Sequence, residues 1–250
     1  KLKNALTGLG FFYIQDNNFS PKLVQDIRKS ANDIFNLPLP DKKKIKMNKN
    51  FRGWGALDEE ITLNIPDHKE TLDFGYDEPL DPDAKGYKVM RGPNQWPDNG
   101  DKDLKPRVEN YMKEMTRIGQ ILLQAIARIM GKDGNSLLKY FQNPFSLLRF
   151  IHYPPTSGIK SGVGRHTDYG FLTMISQDDS VSGLQALSKT GEWVNVDPIP
   201  NTFAVNIGDT LEAWSGGILR ATPHRVINIS SDSSRLSIPF FFDPDLDSIV

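Results

Sequence analysis

The sequence predicts a mainly β domain with flanking helices, and three observations carry that prediction. From residue 145 onward, seven short apolar or aromatic runs alternate with turn residues, the spacing of an all-β sandwich or barrel. Ahead of them, residues 106–131 carry one long apolar stripe at helical spacing. The chain has 250 residues, enough for one large domain, and no cysteine, so no disulfide framework supports it.

Taken in order, "GLGFFYIQDN" (8–17) reads as a strand closed by an Asp-Asn-Asn turn. "SPKLVQDIRKSANDIFNLP" (20–38) reads as a helix: Ser20 suits the N-cap, Pro21 the first helical position, and Leu23, Ile27, Ala31 and Ile34 form one stripe. "LPLPDKKKIKM" breaks it. Residues 48–105 are irregular and rich in Gly, Pro, Asp and Asn, yet their aromatics argue for a segment built around a site rather than disorder. In 106–131, Val108, Met112, Met115, Ile118, Leu122 and Ile126 line one face and Gly131 suits the stop. "NSLLKYF" reads as a second short helix. The β runs are "FSLLRFIHY", "LTMISQ", "GLQAL", "EWVNV", "FAVNIG", "HRVINI" and "LSIPFFF". The long helix is expected to pack outside one sheet. That gives a single domain over 1–250, helical and loop-rich over 1–144, with the β core and the site in 145–250.

Composition narrows the function. Lys+Arg is 30 and Asp+Glu 31, a net charge of -1, so nothing marks a nucleic-acid partner. The basic run "DKKKIKMNKN" (41–50) reads as a solvated helix end and loop rather than an anion patch. Without cysteine there is no thiolate zinc site and no cysteine nucleophile, and a reducing, cytoplasmic setting is expected. No apolar run approaches the roughly 20 residues of a membrane span, and no signal peptide is visible. The chain begins at Lys1 without an initiator Met, which reads as a fragment.

The chemistry rests on few residues. There are four histidines: His68, His152, His166 and His224. "GVGRHTDYG" (162–170) reads as the start of a strand, where positions i and i+2 share a face, so His166 and Asp168 are expected to project together. His224, in "ATPHRVINI", starts another β run. Two histidines and one carboxylate with open positions are what non-haem Fe(II) needs. A histidine near an aspartate is more often a structural pair, and a third feature shifts that balance. In "SRLSIPFFF" (234–242), Arg235 and Ser237 again stand two apart, 11 and 13 residues after His224. A guanidinium fork and a hydroxyl in an otherwise apolar strand call for an anionic partner such as a carboxylate.

These pieces resemble, in order, the isopenicillin N synthase-like branch of the Fe(II)/2-oxoglutarate-dependent oxygenases: "GFFYI", "FRGW", "GPNQWP", "RFIHYPP", "RHTDYGFLTMISQD", "GLQAL", "VNIGD", "HRV" and "RLSIPFFF". The resemblance covers nearly the whole chain. It implies a double-stranded β-helix (jelly-roll) core with a facial triad of His166, Asp168 and His224 as iron ligands. It implies Arg235 and Ser237 on the distal carboxylate of 2-oxoglutarate, with Tyr153 aimed at the same co-substrate. Hydroxylation of a small molecule, with O2 consumed, succinate and CO2 released and ascorbate as an auxiliary, is the implied reaction. A monomer is the implied state. Against the family pattern, both ends look truncated.

Strand parity puts candidate substrate contacts at Arg149, which shares a face with Tyr153, and at Phe241, which shares one with Arg235 and Ser237, and the resemblance implies further contacts at Tyr169, Arg52 and Trp54. For Arg149 the alternative is a buried ion pair; for Trp54 it is packing over the barrel mouth. Arg91 is expected to fix its loop. His68 and His152 are expected to stand apart from the metal. Three rival readings remain: an isopenicillin N synthase-type oxidase that does not use 2-oxoglutarate, a silent jelly-roll binding module, and a zinc hydrolase.

Overall fold

The computed structural model describes residues 1–99, 101–158, 160–177, 181–228 and 232–249. In chain order its helices and strands are α1 (Leu2–Thr7), β1 (Phe11–Ile14), α2 (Pro21–Phe35), α3 (Leu39–Lys44), β2 (Gly53–Gly55), β3 (Ile61–Thr62), β4 (Ile65–Pro66), β5 (Glu70–Gly75), α4 (Leu104–Ile129), β6 (Phe145–Tyr153), β7 (Lys160–His166), β8 (Leu172–Gln177), β9 (Leu184–Leu187), β10 (Trp193–Asn195), β11 (Phe203–Ile207), α5 (Asp209–Trp214), β12 (His224–Asn228) and β13 (Arg235–Asp243). Short 3-10 turns occupy Gly86–Met90 and Leu138–Tyr140.

Two antiparallel sheets face each other. Seven strands run in the order β1-β11-β8-β13-β6-β5-β2 and four in the order β10-β9-β12-β7, with β3-β4 as a separate hairpin. This is the double-stranded β-helix arrangement, in which most neighbouring strands come from distant parts of the sequence.

The larger sheet is buried on both sides, and its side chains divide accordingly. Along β13, Leu236, Ile238, Phe240 and Phe242 enter a core shared with Val108, Met115 and Leu122 of α4 and Ile27 of α2. The alternate residues Arg235, Ser237, Pro239 and Phe241 line the space between the sheets. Helix α4 approaches the sheet closely at Gly119, where an added Cβ would stand 2.4 Å from the Phe242 ring. A second core of Ile151, Val163, Ile175, Leu184 and Val226 fills the gap between the sheets.

The helices follow their stripes. Ser20 caps α2, its hydroxyl accepting the Leu23 N–H at 3.3 Å. All six stripe residues named for α4 are buried. Four features differ from the sequence reading. Helices α1, α3 and α5 are short, and their propensity signal is weak. The irregular region holds β5, whose six residues "ETLDFG" are all buried. A strand covered on both faces has no polar alternation to read, and its acids are carried by partners. Lys42, in the basic run, is not solvated: its Nζ lies 2.8 Å from Glu70 Oε2 with both side chains largely buried. Finally, "GVGRHTDYG" is the end of a strand, not its start: β7 stops at His166. Ile229, the last residue of the sixth β run, lies outside the described residues.

Candidate metal centre

Sheet pairing brings the two histidines together. His166, at the end of β7, sits directly opposite His224, at the start of β12, and their ring centroids are 4.2 Å apart. Asp168 lies past the strand, so a shared strand face does not explain its position. The turn after β7 returns it toward both rings. Its Oδ1 is 3.7 Å from His166 Nε2 and 3.6 Å from His224 Nε2. Among the described residues this is the one group of three such donors, all within 4.8 Å of one another.

Each donor is oriented by its other atom. His166 Nδ1 lies 2.8 Å from the Gly164 carbonyl and His224 Nδ1 3.0 Å from the Thr222 carbonyl. A carbonyl can only accept, so Nδ1 carries the proton and Nε2 presents its lone pair to the centre. Asp168 Oδ2 accepts from the Thr173 hydroxyl at 2.5 Å and from Asn206 Nδ2 at 2.7 Å, which turns Oδ1 inward. Burial opposes ionisation of Asp168, but His224, the two hydrogen bonds and His166 outweigh it and hold its carboxyl below the usual range. Burial, with His224 adding to it, pushes the His166 imidazole down, toward the neutral form a metal requires. A metal bound at roughly 2.1 Å by three adjacent donors sets them about 3 Å apart. The observed 3.6–3.7 Å spacings from Asp168 Oδ1 to the two Nε2 atoms lie within about 1 Å of that. The set fits a divalent first-row metal with positions left open.

Across the gap lies a cationic wall. Arg235 pairs with Tyr153 in the β13–β6 ladder, and its guanidinium stands 5.1 Å from the Tyr153 ring centre. Arg235 Nη2 donates to Gln177 Oε1 at 3.2 Å. Arg235, Ser237 and Tyr153 are all buried and line the same cavity as His166, Asp168 and His224. The cavity's remaining wall is apolar, supplied by Ile151, Ile175, Leu184 and Val226.

A larger cleft of about 580 Å³ opens beyond the three donors, and it contains Arg149, Tyr169 and Phe241. Arg149 is engaged as an ion pair: Nε and Nη2 each donate to Asp73 at 2.7 Å, and Glu60 lies 3.2 Å from Nη1. Tyr169 is 89% exposed, at the rim. Arg52 and Trp54, expected as substrate contacts, are not among the residues that line the cavity or the cleft. Arg52 is 2% exposed, donates to the Asn50 and Phe51 carbonyls and packs against Gly75. Trp54 donates from Nε1 to Glu70 at 2.8 Å. Neither reaches the cleft. Arg91 ties its loop to Glu78 and the Asn143 carbonyl. His152 lies against Glu70 and Phe35, and His68 against Asp58, both apart from the three donors.

The sequence reading did not single out Thr173, Asn206, Lys69, Glu60 or Asp243. Asn206 had a signal, as the one polar side chain in "FAVNIG". Lys69 is buried, with its ammonium 2.9 Å from Glu60 and 3.1 Å from Asp67.

Comparison with known proteins places this geometry among relatives. The model for the 2OG-Fe(II) oxygenase superfamily matches residues 143–244, and that for the non-haem dioxygenase in morphine synthesis N-terminal region matches 1–99. A homoarginine-6-hydroxylase of Glycine max is 36% identical over 261 residues, spanning 100% of this chain and 78% of its own. Neurospora crassa T7H, solved in complex with alpha-KG and thymine, superposes with a TM-score of 0.83 at 26% identity, covering 99% of this chain and 80% of its own. A 2OG-Fe(II) oxygenase family protein from Caulobacter crescentus gives a TM-score of 0.86 at 27% identity, covering 98% and 81%.

Proposed function

The chain belongs to the 2OG-Fe(II) oxygenase superfamily, and from that premise we propose that His166, Asp168 and His224 hold its iron and that Arg235, Ser237 and Tyr153 receive the far carboxylate of 2-oxoglutarate. It is an Fe(II)- and 2-oxoglutarate-dependent dioxygenase that oxidises a small organic molecule. Iron and 2-oxoglutarate, when bound, supply the oxidising chemistry, with O2 consumed and succinate and CO2 released.

The residues divide the remaining work. Gly164 and Thr222 keep both imidazoles in the Nε2-presenting tautomer. Thr173 and Asn206 hold the Asp168 carboxylate in one rotamer. Arg235 and Ser237 anchor a carboxylate at the closed end, which sets the other end of a dicarboxylic acid toward the donors. The apolar wall keeps water from the reacting centre. One observation carries the reading: three donors with their lone pairs free share a cavity with a buried guanidinium and hydroxyl. A zinc hydrolase has no use for that second feature, and a silent binding module would not need the three donors intact.

Hydroxylation is the outcome we favour, supported by the hydroxylase named among the relatives. A small-molecule substrate fits the cleft size and the near-neutral charge. A monomer in the cytoplasm completes the proposal, and no helix among the described residues is long and apolar enough to cross a membrane.

The test is anaerobic. Fe(II) and then 2-oxoglutarate are added to the metal-free protein, and the weak visible charge-transfer band of the chelate is followed. The band is expected with the native protein, and Arg235→Ala is expected to need at least about tenfold more 2-oxoglutarate. Iron binding without a band would move the oxidase reading ahead. No iron binding would overturn the ligand assignment.

A further inference from the structure

Glu60, Lys69 and Arg149 line the cleft beyond the donors, and Asp67 and Asp73 are buried behind them. Glu60, Asp67 and Asp73 face Lys69 and Arg149 in a closed network. Lys69 bridges Glu60 and Asp67, and Arg149 bridges Glu60 and Asp73. Those two cations are therefore fully engaged. A fourth carboxylate, Asp243, lines the same cleft outside the network.

Asp243 ends β13, on the inward face that carries Arg235, Ser237 and Phe241. Phe241 pairs with Thr173, whose hydroxyl holds Asp168, so Phe241 stands level with the three donors. Asp243 lies one strand repeat further out, roughly 7 Å. The chain makes room for it: a Cβ on Gly170 would stand 1.7 Å from Asp243 Oδ1. The Phe171 N–H donates to that same Oδ1 at 2.7 Å, which fixes the carboxyl plane. Among the described residues no other hydrogen bond and no Lys, Arg or His ion pair reaches it. Its Oδ2 is left for a ligand. Two aromatic side chains, Phe241 and the exposed Tyr169, share the cleft with it.

A carboxylate oxygen without a counter-cation, in a cleft that also holds two aromatic side chains, is the chemistry that receives a positively charged nitrogen. We propose that Asp243 selects the substrate by accepting a hydrogen bond from its guanidinium or ammonium group, seated beside Phe241 and Tyr169. This rests on the dioxygenase reading above, because that reading sets the oxidised carbon near the three donors. The charged nitrogen then lies several bonds from the carbon that reacts. Burial pushes the Asp243 carboxyl up to about 7, and the charge of Asp168 adds to the rise against the Phe171 N–H, so a cation supplies the compensation this site lacks.

The test uses the full chain loaded with Fe(II) and 2-oxoglutarate without oxygen, after recording the visible band. L-Homoarginine and alkylguanidinium ions of graded length are titrated by calorimetry, each beside its uncharged urea counterpart. At least one guanidinium is expected to bind about tenfold tighter than its urea, and the ratio is expected to fall to about twofold or less in Asp243→Asn and Asp243→Ala. Asn keeps the acceptor for the Phe171 N–H, so the fold survives in that variant. A normal band with no guanidinium preference, or a preference that persists in Asp243→Asn, overturns the role of Asp243 alone. A missing band with an Asp243-dependent preference overturns the 2-oxoglutarate reading and leaves Asp243 as a cation site.

Discussion

The outer atoms of the three donors decide how tightly a metal is held. Asp168 is fixed by two hydrogen bonds, from Thr173 and Asn206, on the oxygen it does not offer. Thr173→Val keeps the volume and removes one of them. Metal affinity is expected to fall about 10- to 100-fold with little change in unfolding temperature, read by competition against a chelating dye. Unchanged affinity would mean the carboxylate needs no such support. Asp243 gives a second prediction, for the metal-free protein. Its carboxyl is raised to about 7 in the folded chain against an ordinary value of 3.8. A group raised on folding contributes stability that is complete below its unfolded value and lost as pH climbs to the folded one. Asp243→Asn is therefore expected to be more stable than wild type at pH 8, by at most about 4 kcal/mol, and to lose that advantage near pH 4. Denaturant melts at both pH values decide it; an equal difference at both would sink the claim. Residue identities here were legible unevenly. His166 and His224 could be picked from the sequence because the chain has four histidines, and Asp168 because it follows His166 by two residues in a motif that resembles the family's. The shared-face argument for His166 and Asp168 was nevertheless wrong, since β7 ends between them. Arg52 was carried over from the family resemblance of "FRGW", and a resemblance in sequence does not say that the side chain turns inward, where it is 2% exposed.

At the scale of elements, α4 shows two effects in competition. Gly119 sits mid-helix, where Ala would gain about 1 kcal/mol of helix propensity. The added Cβ would meet Phe242 at 2.4 Å, and overpacking of this kind costs roughly 1–3 kcal/mol. The ring is itself fully buried and packed against Phe141, with centroids 4.7 Å apart, which resists its moving aside. Gly119→Ala is expected to destabilise, net, by up to about 2 kcal/mol; a stabilised variant in urea melts would show that the helix can shift outward. Ser20→Ala, at the start of α2, is expected to cost about 1 kcal/mol through the lost cap. The two long helices were readable because each hides one stripe and exposes the rest. Strand β5 was not, because helices cover one face of its sheet and the other sheet covers the opposite face. Its Glu70 and Asp73 look like loop residues until Lys42, Trp54 and Arg149 are seen to satisfy them.

The whole molecule divides the site between its two sheets. His166 and His224 belong to the four-stranded sheet, through β7 and β12, while Arg235 and Ser237 belong to β13 of the seven-stranded sheet. A metal alone ties together β7, β12 and the turn carrying Asp168. On the proposed reading, a dicarboxylate anchored on Arg235 and directed at that metal would tie one sheet to the other. Stabilisation by the two ligands should then exceed the sum of each alone, because 2-oxoglutarate without metal meets only the clamp. Binding at a hundredfold excess over Kd adds about 2.7 kcal/mol. In a chain of this size that is on the order of 5–10 °C. Mn(II) is expected to raise the unfolding temperature modestly, 2-oxoglutarate alone hardly at all, and the pair by roughly that full amount. Arg235→Ala should keep the Mn(II) shift and lose the extra one, which separates a clamp from a general loss of fold. Additive shifts, or an extra shift that survives Arg235→Ala, would mean that 2-oxoglutarate does not span the sheets, and the division of labour between β13 and the β7–β12 pair would have to be abandoned.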